Sequence, residues 1–511
     1  MASFTSFLAL VFIAVPAALL ASAAPAPRIV KLEPTVLFAN KKPLAQIGWL
    51  TIENPSSRAL DCTLVVKVKG GATGAAQALQ LPPGVSQQNA LIPDIATAAD
   101  VTLELRAGTE KDAAPLVTHT QPWQPQRKWK IFLVKSAHED IGYENYLWAK
   151  QKEIADFIEL GAHLSANAPA SAVNDVEGAR TPGGYHYWME TLLFTRYYEA
   201  ERSTAALREL IEKDVKTGSM GLGAAPSGVH AHWMDYEELA RSMYPGRREY
   251  KDRFGLNLDT YVIVDNPSFS WSSAQAMANA GYKYAVRLGQ PFRTGGNNDY
   301  KTTKVPAVFW WEAPDAKSRV LYTWRSHYGI NFWFGMSPGG YADLADLGAI
   351  NVHREMMTVQ SGEKLGPYEW DALLIPSYRD HDIPVWDNRA LRRWEELYRY
   401  PEIRVADPRD FMVYMEKKYG PRAPRRPEQL LGRLRDHRSQ FAGPETPRLP
   451  SAAARRGAGR DRGRDESRVC LSHARGGAGV AADVRFRRAQ LADEPAGGAD
   501  APVQFSVGQD S

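Results

Sequence analysis

The sequence predicts an α/β protein organised around a β/α barrel, with a small β-sandwich before it and a disordered carboxyl-terminal tail. Three observations carry that prediction. Short β-branched runs separated by turn residues fill 24–126, apolar strand-like runs alternate with stretches of helical period over 127–420, and no Lys, Trp or Tyr occurs in 421–511. The chain has 511 residues, 44% of them apolar and 23% charged. At about 150 residues per domain that length predicts two to four units. The composition excludes wholesale disorder, collagen and coiled coil.

Met1–Ala23 has the form of a secretory signal peptide, with a mostly apolar run from Phe7 to Leu20 before the small residues Ala21, Ser22 and Ala23. Pro16 interrupts the run, which is also shorter than the roughly 20 apolar residues that span a bilayer. The expectation is a secreted or periplasmic protein with no membrane association after cleavage. Cys62 and Cys470 are the only cysteines. An exported chain of this size is therefore not held by a disulfide framework, and His and carboxylates are left as its metal ligands.

Within 24–126, strand candidates are Arg28–Leu32, Ala45–Glu53, Cys62–Lys69, Val101–Arg106 and Leu116–His119. The spacing suits a sandwich of about 100 residues. From Lys130 the grammar changes. Lys130–Val134, Thr260–Val264, Tyr284–Leu288, Val305–Trp310, Arg319–Trp324, Ala372–Ile375 and Ile403–Ala406 read as strands. Gln151–Ala166, Tyr187–Glu201, Thr204–Lys216, Asp235–Met243, Ser272–Ala280 and Asn388–Tyr398 read as helices. In Tyr187–Glu201 a buried stripe of Met189, Leu192, Leu193 and Tyr197 is expected. Repeated β-then-α units imply a parallel sheet covered by helices, with chemistry at the strand exits.

The tail carries 17 basic and 11 acidic residues against 45 and 47 before it, so the net charge of +4 originates there. Arg, Ala, Gly and Pro cannot bury enough apolar surface to offset ordering entropy, which predicts disorder. A displaced reading frame in a GC-rich gene would produce the same change in residue usage. An exported protein rarely meets nucleic acid, and none is expected as a partner.

The sharpest chemical signal is Ser136-Ala-His-Glu-Asp-Ile-Gly-Tyr143, directly after the Lys130–Val134 strand. Alternate side chains of an extended segment point the same way, so His138 and Asp140 can converge on one cation. A surface loop capping a helix is the alternative. A second polar cluster, Tyr378-Arg-Asp-His-Asp382, follows the Ala372–Ile375 strand; Asp380 and His381 there can bind sugar hydroxyls or supply an acid, or the cluster is a surface loop with paired charges.

Strand-His-x-Asp-x-Gly-aromatic resembles the first metal-binding motif of the glycoside hydrolase family 38 amino-terminal domain, the α-mannosidase family. Tyr187-Trp-Met-Glu190, Asp235–Tyr244, Phe254-Gly255, Val264–Trp271, Ala280–Tyr284, Phe309–Asp315 and Asp371–Asp387 are similar to family segments in order and approximate spacing. The likeness, to a distant bacterial member, covers about 128–420. It implies a (β/α)7-type barrel, one zinc held by His138 and Asp140 and touching sugar hydroxyls, and retaining hydrolysis of a carbohydrate substrate through a carboxylate nucleophile. It also implies a further metal-ligating His beyond about residue 420.

Ser227-Gly-Val-His-Ala-His-Trp-Met-Asp235 departs from the family, having no clear counterpart of its nucleophile Asp. Asp235 or Asp265 then does that work, or the site is not that of a standard mannosidase. His230 and His232 are metal or substrate contacts or structural, and Glu190 is a substrate-contact candidate. The resulting expectation is an exported zinc-dependent glycoside hydrolase. A non-catalytic carbohydrate-binding barrel and a metal-dependent polysaccharide deacetylase are its rivals. Oligomeric state is not legible.

Overall fold

The structure, a computed structural model, describes residues 26–108, 113–138, 145–167, 185–228, 234–264, 269–270, 272–288, 306–323, 347–362, 368–380 and 389–427. Met1–Ala23 and nearly all of the tail fall outside them. The amino-terminal part contains β1 (Arg28–Ala39), β2 (Ala45–Asn54), β3 (Leu60–Val68), β4 (Gln77–Leu81), β5 (Gly84–Pro93), β6 (Ala99–Ala107) and β7 (Pro115–Trp123). They form two antiparallel sheets, one containing β1-β2-β5 and the other ordered β4-β3-β6-β7. Alternation puts Leu50, Ile52, Leu64, Val66, Leu103 and Leu105 into a shared core. Each contributes about 1.5–3 kcal/mol of burial.

β4 and β5 are absent from the sequence expectation. Gln77, Gln80, Ser86, Gln87, Gln88 and Asn89 give them a polar surface, with few β-branched residues to mark a strand. Pairing supplies what composition does not: β5 runs beside β2 over ten residue pairs, from Ala45↔Pro93 to Asn54↔Gly84.

The rest contains β8 (Lys130–His138), α1 (Leu147–Asn167), β9 (Tyr187–Met189), α2 (Leu192–Glu201), α3 (Thr204–Leu210), β10 (Met220–Leu222), α4 (Tyr236–Phe254), β11 (Thr260–Val264), α5 (Ser272–Asn279), β12 (Tyr284–Leu288), β13 (Val308–Glu312) and β14 (Arg319–Thr323). It continues with α6 (Leu347–Ser361), β15 (Ala372–Asp380), α7 (Arg389–Leu397), β16 (Tyr398–Tyr400), β17 (Glu402–Val405), α8 (Pro408–Tyr419) and β18 (Arg425–Pro427). β10-β9-β8-β15 form a curled parallel half-barrel sheet, with β17 beside the first half of β8. A second sheet runs β11-β12-β14-β13-β18. Its first three strands are parallel, while β13 is antiparallel to β14.

Period two sorts the side chains of the second sheet. Val262, Val264, Tyr284, Val286 and Leu288 face the interior shared with β8 and β15. Tyr261, Ile263 and Ala285 face α4 and α5, whose Leu239, Met243, Ala274 and Met277 cover them. α8 packs into the shared core through Phe411, Met412 and Met415.

Four expectations need amendment. A closed ring of seven strands is not formed among the described residues: β10 and β11 edge separate sheets, and a cavity of about 420 Å³ is lined by Met220–Leu222 on one side and by Thr260 and Val262 on the other. Tyr187–Glu201 is a short strand followed by a helix, and the buried helical residues are Leu192, Phe194, Thr195 and Tyr198. The sandwich is not self-contained, because β16 pairs with β1 and Val36, Leu37 and Ile47 share the core of the β/α part. Order also runs past residue 420, where β18 pairs parallel to β13.

Candidate functional site at the strand exits

The candidate site begins with β8. This strand is buried on both faces, as a central parallel strand must be. β15 pairs with it through nine residues, ending at Asp380↔His138. β15 therefore extends five residues past its expected end at Ile375 and brings the Asp380 backbone level with His138. Of the Asp380 side chain nothing is described.

On the other flank, β9 meets β8 at Lys135↔Tyr187, and the Ser136 hydroxyl donates to the Trp188 carbonyl at 2.8 Å. Glu190 follows immediately. The Gly223 N–H donates to the Met189 carbonyl at 2.8 Å, and the Leu192 N–H donates to the Ala225 carbonyl at 2.9 Å. A Cβ on Gly223 would come within 2.0 Å of the Glu190 carbonyl oxygen, so only glycine fits. Glu190 is thus clamped between the β10 exit and the start of α2.

The result is a buried pair: Glu190 Oε2 lies 3.0 Å from His138 Nδ1. With Nδ1–H donating to the carboxylate, the imidazole is fixed in orientation and its lone pair falls on Nε2. Metal-binding histidines are typically held in this way. The carboxylate of Glu190, a substrate-contact candidate from the sequence, engages the imidazole through Oε2. A three-residue strand is too short to show a period in the sequence. Read as a strand, Tyr187-Trp-Met would have placed Glu190 at a strand exit, as His138 is.

Asp235 caps α4. Its Oδ1 accepts from the Glu238 N–H at 2.9 Å, and its own N–H donates to Glu238 Oε2 at 3.2 Å, a reciprocal cap on α4. The residue is exposed. Asp140, His230, His232, Asp265 and His381 lie outside the described residues. Val264, immediately before Asp265, closes the parallel strand β11, so Asp265 follows a strand exit in the chain.

A second buried imidazole, which sequence reasoning passed over, precedes β9. His186 has Asp407 Oδ1 2.6 Å from Nε2 and the Gly218 carbonyl 3.1 Å from Nδ1. Both partners are acceptors, so both ring nitrogens must carry protons. Burial opposes that charge, but Asp407, through charge and hydrogen bond, with Asp410 beyond it, outweighs burial and raises the pKa above 6.5. A Cβ on Gly221 would meet Asp407 Oδ1 at 1.8 Å. Nearby, Arg409 donates from Nε and Nη2 to the Asp259 carboxylate at 2.7 and 3.0 Å. Asp259, Asp407 and Arg409 line the cavity on the side where β11 begins, away from His138.

No curated protein matches the chain. Among solved structures, an alpha-mannosidase from Enterococcus faecalis V583 is similar at 16% identity over 58% of this chain and 30% of that one, with a TM-score of 0.43. A 4-alpha-glucanotransferase from Thermococcus litoralis is similar at 10% identity over 56% of this chain and 38% of that one, with a TM-score of 0.33. The chain thus aligns with less than half the length of either. Residues 128–437 match the family described as Glycosyl hydrolases family 38 N-terminal domain, a span that starts at the threshold of β8 and takes in every parallel strand above. The chain belongs to glycosyl hydrolase family 38.

Proposed function

We propose that the protein is an exported, zinc-dependent glycosidase that cleaves α-mannosides with retention of configuration. The observation supporting this most is the buried His138–Glu190 bond at the exit of β8, in a chain of this family. The donor set suits zinc: a carboxylate-oriented imidazole from His138, and a carboxylate from Asp140 two residues later. Bound there, zinc would supply a Lewis acid for sugar hydroxyls. Glu190 orients His138.

Retaining chemistry needs two carboxyl groups about 5–5.5 Å apart, one attacking the anomeric carbon and the other protonating the departing oxygen. Asp265 is assigned the attack, since Asp235 is committed to capping α4. Asp380, level with His138 in the ladder, is assigned the proton, with His230, His232 and His381 as sugar contacts. The apolar run Phe7–Leu20 and Ala21-Ser-Ala23 support export.

An aryl α-mannoside panel with the zinc-loaded full chain tests the reading. Turnover that retains configuration and is abolished by Asp265→Ala and by His138→Ala is the expected result. Zinc bound at one equivalent with no glycoside turned over would contradict it, and acetate release from acetylated glycans would point to the deacetylase instead.

A further inference from the structure

Aromatic exposure is distributed very unevenly. Of the nine described tryptophans, Trp123, Trp129, Trp188, Trp311, Trp370 and Trp394 are buried and Trp49 and Trp310 partly so, whereas Trp148 is 72% exposed. Tyr146 beside it is 75% exposed and Leu147 54%. Among the described residues, the other large exposed apolar side chains, Val30, Val85, Leu116, Tyr236, Tyr244 and Ile350, are not consecutive. Isolated cases need no explanation; a contiguous one does. The Tyr146 and Trp148 rings are parallel to within 8°, with centroids 6.3 Å apart.

The pair stands on a fixed support. The Tyr146 N–H donates to Asn145 Oδ1 at 2.9 Å, and the Tyr146 carbonyl accepts from the Ala149 and Lys150 N–H groups, both at 3.0 Å. α1 is docked by Ile154, Ala155 and Ile158 in the core and by Gln151 Nε2 donating to Glu201 Oε1 at 2.7 Å. The position also follows. Gly161, late in α1, abuts the Tyr187 ring where β9 begins, so α1 runs back along the sheet and its first turn lies toward the strand exits. Only six residues lie between His138 and Asn145 in the chain.

We infer that Tyr146 and Trp148 form a sugar-stacking platform on the rim of the strand-exit face, engaging a pyranose ring of a glycan beyond the unit that is cleaved. An aromatic face is apolar and weakly negative, which suits the C–H face of a pyranose, and a rigid support lowers the ordering cost of binding. A membrane would call for a basic rim. On α1, Lys150 pairs with Glu153 and Lys152 with Asp156. The choice of a glycan as occupant rests on the glycosidase reading.

Affinity electrophoresis of the full chain tests this, with soluble α-mannan or soluble β-glucan in the gel and a chelator present so that no turnover is required. At least one polymer should retard the wild type, the double variant Tyr146→Ala, Trp148→Ala should bind roughly tenfold more weakly, and Trp148→Tyr should recover most of the loss. Tyr244→Ala, an exposed aromatic on α4, should behave as wild type. Unfolding midpoints monitored by circular dichroism should coincide. Equal retardation of wild type and double variant overturns the platform, as does retardation by neither polymer. So does sedimentation showing a wild-type dimer that the double variant dissociates. Turnover of aryl glycosides together with binding indifferent to the double variant would sink the platform alone; Trp148-dependent binding without turnover would sink the hydrolase alone.

Discussion

His186 with Asp407 and His138 with Glu190 are both buried imidazole–carboxylate pairs, and they flank the same three-residue strand, β9. The difference is in what each ring faces. His186 is enclosed by two acceptors, Gly218 O and Asp407 Oδ1, so its chemistry is spent inside the fold as a cation joining β9, β10 and α8. His138 gives Nδ1 to Glu190 at the end of its strand, where the proposed zinc would bind. Two pairs of the same residue classes thus flank β9, a rivet where the strand begins and, where it ends, the pair proposed to orient a zinc ligand. Burial and a close carboxylate do not separate them; the end of the strand at which each sits does.

The largest expected effect breaks the rivet. Asp407→Ala strands a buried imidazolium and removes a capping residue of α8, and should cost about 3–5 kcal/mol in denaturant unfolding. Asp407→Asn should recover part of this, because its amide can donate to a neutral Nε2. Next comes Glu190→Gln, whose side-chain oxygen still accepts from Nδ1–H: it should change stability by about 1 kcal/mol or less. An Asp407-sized loss from that change would make the two pairs equivalent and erase the contrast. Asp235→Ala should cost about 1 kcal/mol, the value of a helix cap, with aryl-mannoside turnover retained. Loss of turnover without loss of stability would return Asp235 to the chemistry.

The gentlest effect is a slope with pH. The folded pKa of His186 is raised, so the folded state binds more protons than the unfolded state in that window. Its contribution is complete below the ordinary value of 6.5 and fades as pH rises through the raised one. Unfolding free energy measured against pH should fall across that range in wild type and flatten in Asp407→Asn; identical slopes would argue against a charged His186.

Strands of five buried residues between turn signals were legible: β11 and β12 have the expected bounds. So was β8, which announces itself by composition. Pairing distant in sequence was not. Asp380 becomes level with His138 only when a ladder prolongs β15 past Ile375, and Glu190 meets His138 across 52 residues. His186 and Asp407 lie 221 residues apart, in segments whose local pattern calls for neither. The same blindness hid β16, three residues that complete a sheet begun near the start of the chain.

The account depends on the strand-exit pair being a metal-orienting device. Zinc titrated calorimetrically into chelator-stripped protein tests this directly, without reference to turnover. Wild type should bind one equivalent, His138→Ala should bind none at that site, and Glu190→Gln should bind about 10–100-fold more weakly while remaining folded. Zinc affinity unchanged in Glu190→Gln, or no zinc bound by wild type, would contradict it.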